Sequence, residues 1–286
     1  MTMVSPALAR RAWRDVEPLH TMIYFVPEAP AAYAEIGVTD TAMGYFGSRA
    51  APMGRASAEV VHATFFNFSP ALVHYAVPAV WDVAAPEALV AARLKAADQA
   101  LRRGLGEAVD TPDLAEAAEL TRRAALAATE RPEGRPLFAA HAALPWPDAP
   151  HLVLWHAQTL LREFRGDGHI AALVLAGVTG LEANLLHAAS GEISPRFLTS
   201  TRAWSAEQWS EGAERLRSAG LLTADAELKL SEDGARLRQE IEDRTDEASV
   251  PAYAALGEEG CERLRELARP LRRAAVDAGL LGRAGK

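Results

Sequence analysis

One cysteine in 286 residues, Cys261, excludes a disulfide within the chain. No nucleophile pattern surrounds it, so it reads as a core thiol. The start MTMVSPALARRAWRDVEP lacks the apolar run that follows the basic residues of a secretory signal, which points to the cytoplasm. Absent too are HExxH, CxxC, GxSxG, a P-loop, and a GxGxxG opening a helix, so zinc hydrolases, serine hydrolases and nucleotide-binding enzymes have no support. His62 and His74 are too far apart for a helical metal pair, and His151 and His156 are five residues apart, off one helix face. No cofactor and no metal are expected. Basic excess is missing as well: the net charge of −8 offers no general field for a polyanion.

The longest uncharged run, "VVHATFFNFSPALVHYAVPAVW" from Val60 to Trp81, has the length of a membrane span. It contains His62, Asn67, Ser69, Pro70, His74 and Pro78, which are costly in lipid, so buried core helices are the expectation and a membrane partner is not. About half the residues are apolar, enough for one large or two ordinary domains.

Helix signals run from end to end. Ser5-Pro6, Ala85-Pro86 and Thr111-Pro112 put a proline in a first helical turn, where its missing N–H does no harm. Thr179 with Glu182 and Ser205 with Gln208 fit capping boxes. Leu264, Leu267, Leu271 and Ala275 form a helical stripe near the C-terminus. The main strand signal is "AELKL" at Ala226–Leu230. "RPEGRPLFAAHAALPWPDAPH" holds five prolines and reads as a surface linker. The expected organisation is an N-terminal α-helical domain over 1–135, a linker over 136–151 and a second domain over 152–286.

The second domain carries a specific order. A helix from His169 is followed by a second over Thr179–His187 and a third from Ser205 ending in "RLRSAGLL". A short hairpin then leads to "LSEDG", which opens a long helix. This order resembles the winged helix-turn-helix of the MarR regulators, and the whole chain is similar to a group of actinobacterial MarR-like proteins. The resemblance implies a mainly α fold with a small β-wing, and end helices that build a dimer interface. It also implies a third helix that enters the DNA major groove beside an arginine-tipped wing.

Two further readings bear on partners. "RAAPMGRASAEVVHATFFNF" from Arg49 can be laid over "REFRGDGHIAALVLAGVTGL" from Arg162, with Trp81 against Trp204 and Gly104 against Gly220. The first half is then a degenerate copy of the second, and one chain mimics a family dimer; a monomer of this kind or a homodimer is expected. Against DNA binding, Ser205–Glu247 carries six Lys and Arg against twelve Asp and Glu, and the expected wing has no arginine. If DNA is bound, Arg93, Arg102, Arg103, Arg215 and Arg217 are the candidate contacts.

The stretch "LREFRGDGH", Leu161–His169, packs two arginines, two carboxylates and a histidine around Gly166 and Gly168. It reads as a charged corner between two helices, matched in the first half by Arg49–Gly54. Arg49, Arg162 and Arg165 are candidates to hold an anionic or carbonyl-bearing small molecule, because the guanidinium fork pairs with two oxygens. Asn67 and Trp204 are further candidate pocket residues. If the chain is an enzyme, His169 oriented by Asp167 or Glu163 is its candidate acid–base pair. The plain alternative gives Arg165 to Asp167 or Glu163 as a surface ion pair.

Overall fold

The computed structural model describes residues 4–225 and 227–282. In chain order the helices are α1 (Pro6–Thr21), α2 (Glu28–Glu35), α3 (Thr41–Ala50), α4 (Ala58–Phe65), α5 (Pro70–Ala76), α6 (Ala79–Val83), α7 (Pro86–Leu105) and α8 (Pro112–Ala128). There follow α9 (Pro136–Ala142), α10 (Pro150–Leu175), α11 (Gly180–Ala189), α12 (Pro195–Arg202), α13 (Ala206–Ser218), α14 (Glu232–Ala254) and α15 (Gly257–Asp277). Short 3₁₀ turns follow α1, α3 and α7.

Local chemistry accounts for many of these starts. Pro6, Pro86 and Pro112 each open a helix, and the side chains of Ser5 and Thr111 take the backbone N–H groups of Leu8 and Leu114. Both expected capping boxes are formed, at Thr179–Glu182 and Ser205–Gln208.

Two expectations fail. No β-strand forms among the described residues: the expected wing is reduced to one isolated antiparallel bridge, Leu222 to Leu230, and Ala226 lies outside the described residues. The Asp225 carboxylate takes the N–H of Glu227 at 3.1 Å and the Thr223 hydroxyl at 3.1 Å. Two backbone bonds flank the bridge, from Thr223 N–H to the Lys229 carbonyl at 3.0 Å and from Ser231 N–H to the Leu221 carbonyl at 3.2 Å, and the pairing extends no further among the described residues. The fold is therefore all-α.

Nor is "LREFRGDGH" a corner. α10 runs unbroken through it for 26 residues. Gly168 serves close approach rather than a turn, since a Cβ there would lie 2.7 Å from Arg135 Nη1, whose guanidinium reaches the Phe164 carbonyl.

α10 is the axis of the molecule. It packs on α8, α9 and α14, while α1 lies against α14 and α15. The stripe Leu264, Leu267, Leu271 and Ala275 is buried in a large hydrophobic cluster. That cluster gathers Val4 to Phe164 together with Ala252 to Leu280, and Cys261 is fully buried in it. A second, smaller cluster joins the end of α10 to α11, α13 and α14 through Leu173, Leu181, Leu185, Leu216 and Ile241. Segment 136–151 contains α9, whose Phe138 is fully buried against Phe164. No single helix among the described residues is long and apolar enough to cross a membrane.

Candidate functional site

Between the two clusters lies a cavity of about 840 Å³. That volume suits a small organic ligand. Its walls bring together Arg49, Asn67, Arg162, Glu163, Arg165, Asp167 and His169, residues drawn from α3, the turn after α4, and α10. In a chain of net charge −8, the lining holds seven arginines against four carboxylates.

α10 sets the geometry. Along a helix, residues three and four apart share a face. Arg162 and Glu163 point toward α1 and α3: Glu163 accepts from Arg49 Nη2 at 2.9 and 3.1 Å, and Arg162 pairs with Glu17 and donates to the Thr21 hydroxyl at 2.9 Å. The two segments aligned in the sequence, around Arg49 and Arg162, thus meet in space. Burial alone would raise the Glu163 carboxyl, but Arg49, then Arg162 and neighbouring histidines, bring it down to about 2. Arg49, 8 % exposed, also stacks on Phe65, its guanidinium carbon 4.5 Å from the ring centroid. The Arg49 carbonyl faces His141 Nε2 at 3.2 Å; burial holds that imidazole neutral, at about 3, so Nε2–H donates.

Arg165 does not pair with its helix neighbours. Its guanidinium meets Asp246 at 2.6 Å and Glu242 at 3.2 Å, both on α14, and lies over Trp13. Asp167 turns the other way and accepts the N–H of Phe138 at 3.0 Å, closing the first turn of α9. Burial, aided by the charge of Glu163, pushes its carboxyl up to about 7 against the opposing pull of the Phe138 N–H and Arg135.

The expected acid–base pair is not assembled. His169 Nδ1 lies 2.9 Å from the Thr245 hydroxyl, which itself donates to the Ile241 carbonyl at 2.7 Å, so His169 is the donor to Thr245. Burial and the charge of Arg165 lower its pKa despite Glu242. Neither Asp167 nor Glu163 orients it, since one caps α9 and the other holds Arg49.

Asn67 follows a strained turn. Phe66 has φ 54° and ψ −56°, and Asn67 N–H bonds the Phe65 carbonyl at 2.6 Å, a γ-turn of the rare hand. The Asn67 carbonyl accepts from Asn184 Nδ2 at 2.7 Å and from Trp204 Nε1 at 3.0 Å, which ties the turn to α11 and to the start of α13. Gly180 permits this, because a Cβ there would lie 2.0 Å from the Phe66 carbonyl oxygen. Trp204 is thus an anchor outside the arginine-lined cavity, in an open, more apolar groove of about 870 Å³ beside α13.

The arginines expected to touch DNA are mostly engaged. Arg93 is 3 % exposed, beside His20 and Tyr24, and cannot reach a phosphate. Arg102 pairs with Asp98, Arg103 with Glu28, Arg215 with Glu182 at 3.8 Å and Arg217 with Glu214 at 2.7 Å. On α13, Glu207, Glu211 and Glu214 are exposed.

Sequence reasoning missed Arg202, Glu17, Tyr45, Glu242, Thr245 and Asp246. α12, which ends at Arg202, lies between the second and third expected helices, and its one signal was Ser194-Pro195. Among the described residues, no group of three or more His, Cys, Asp or Glu could hold a metal ion.

No curated protein and no solved structure matches the chain. A family model described as a helix-turn-helix family matches residues 9–282. Within the matched span, α11, α12 and α13 form a compact set, with Leu181 and Leu185 packed against Gly212 and α12 against α11. The chain belongs to this helix-turn-helix family, a membership that suggests a DNA-binding, regulator-like protein.

Proposed function

We propose that this helix-turn-helix protein binds a small anionic or carbonyl-bearing molecule in the arginine-lined cavity, and that its affinity for DNA is weak. One observation carries the reading: Arg49, Asn67, Arg162, Arg165, Asp167 and His169, far apart in sequence, line a single 840 Å³ cavity between the two hydrophobic clusters. Weak DNA binding follows from the exposed glutamates of α13 and from arginines already paired with carboxylates. Phosphate contacts supply much of protein–DNA affinity, and a contact by Arg102, Arg103, Arg215 or Arg217 would first break an ion pair. The order α11, α12, α13, then α14 supports a MarR-like relationship within the family.

Ala183 lines the cavity from α11. A thermal-shift screen of small metabolites against the wild type and Ala183→Trp tests the reading. Molecules that stabilise the wild type lose that effect once the indole fills the space. Equal stabilisation of both proteins would refute binding in this cavity.

A further inference from the structure

Three arginines of the cavity wall, Arg49, Arg162 and Arg202, lie near enough for the charges of the first two to act on the third. Two have dedicated counter-charges: Glu163 for Arg49, and Glu17 for Arg162. Arg202 has none among the described residues. Its Nη1 donates to the Thr201 hydroxyl at 3.0 Å, its guanidinium carbon lies 4.4 Å from the Phe68 ring centroid, and its Nε is buried without a partner.

A guanidinium keeps its proton under these conditions, so the group cannot escape burial by becoming neutral. Burial first, then the like charges of Arg49 and Arg162, weaken its hold on that proton, with the Tyr45 phenol acting the other way. A half-buried cation held among like charges is stabilised when an anion enters. The local balance is three cations against two carboxylates, leaving one positive charge. One negative charge closes that balance; a dianion overshoots it.

The surroundings describe the rest of the ligand. Phe65 and Phe68 flank the guanidinium region, Leu198 lines the same cavity one turn earlier on α12, and Leu186 lines it from α11. Elsewhere in the cavity the other charges have counterparts: Arg165 and Arg10 share Glu242 and Asp246, Arg238 meets Glu192, and Asp167 is opposed by Arg135. Arg14 is exposed, and water screens it.

We propose that Arg202 is the anchor of a monocarboxylate site, its fork gripping the carboxylate while the apolar body of the ligand lies along Phe65, Phe68 and Leu198. The inference rests on the cavity reading above. It makes Arg202, together with Leu198, the place where the ligand touches α12.

The test uses the full chain and calorimetric titration with hexanoate, octanoate and phenylacetate, the matching amides, and inorganic phosphate. At least one carboxylate binds saturably, about tenfold or more tighter than its amide. Arg202→Gln removes that preference and leaves amide affinity unchanged, whereas Arg202→Lys, which keeps the charge without the fork, restores part of it. The comparison of acid with amide on the wild type needs no variant, so a poorly folding Arg202→Gln does not blunt it. Equal affinity of acid and amide, no carboxylate binding, wild-type carboxylate affinity in a folded Arg202→Gln, or phosphate binding tighter than every carboxylate would each overturn the proposal. Ala183→Trp separates the two levels. If acids and amides bind equally and both are lost in Ala183→Trp, the cavity reading survives and the Arg202 inference falls. If carboxylate binding persists in Ala183→Trp, the cavity reading itself falls.

Discussion

Replacing Asp167 by Asn should alter how stability depends on pH in a way that follows from the burial of one carboxyl. The group stands at about 7 in the folded chain, against an ordinary value of 3.8. A displacement of about three units corresponds to about 4 kcal/mol, an upper bound that hydration of the cavity reduces to about 2–4 kcal/mol. The sign follows from proton binding. The folded state holds this proton more tightly than the unfolded chain does, so its stabilising effect is complete below pH about 4 and is lost as pH rises toward 7. Asparagine carries no titrating proton, and its carbonyl can still accept the Phe138 N–H. Urea unfolding at steps from pH 4 to pH 8 should show the variant gaining on the wild type across that window and levelling off above it. Other carboxylates contribute to both curves and cancel in the difference. A difference between the proteins that stays constant over the whole range would refute the account of Asp167.

Three further outcomes are expected. Arg49→Met leaves Glu163, 3 % exposed, without the guanidinium that donates to both of its oxygens and should destabilise the chain by about 3–5 kcal/mol in chemical unfolding, while Arg49→Met with Glu163→Leu recovers most of the loss. Gly180→Ala drives a methyl into the Phe66 carbonyl oxygen and should cost about 1–3 kcal/mol of thermal stability; an unchanged melting temperature would show that the turn is not pressed against α11. Wild-type chain should shift duplex DNA little at about 0.15 M salt. The triple reversal Glu207→Lys, Glu211→Lys and Glu214→Lys should bind more tightly with a steeper salt dependence, and tight salt-sensitive binding by the wild type would contradict the reading of α13.

Much of the helical framework was legible because its signals are local. A proline after Ser5 or Thr111, or a Thr179–Glu182 pair, satisfies backbone groups within one turn, and neighbouring residues reveal it. The candidate site was legible as a set of residue types but not as an arrangement. Arg165 looked like half of a local ion pair, yet its partners Glu242 and Asp246 lie about eighty residues downstream on α14. Gly166 and Gly168 looked like a turn, because glycine is weak in helices. The reason for Gly168 is the approach of Arg135, which no spacing rule encodes. The hairpin expectation failed in another way: "AELKL" alternates as a strand does, but its pairing stops at the single Leu222–Leu230 bridge.

The most direct test of the central claim is hydrogen exchange at the backbone amides of Phe65–Phe68 and Leu198–Arg202, measured with and without a small molecule found to stabilise the wild type. A ligand seated between the two hydrophobic clusters should slow exchange in both segments together. Saturable binding that leaves both segments unchanged, or that protects only the groove beside Trp204, would contradict it.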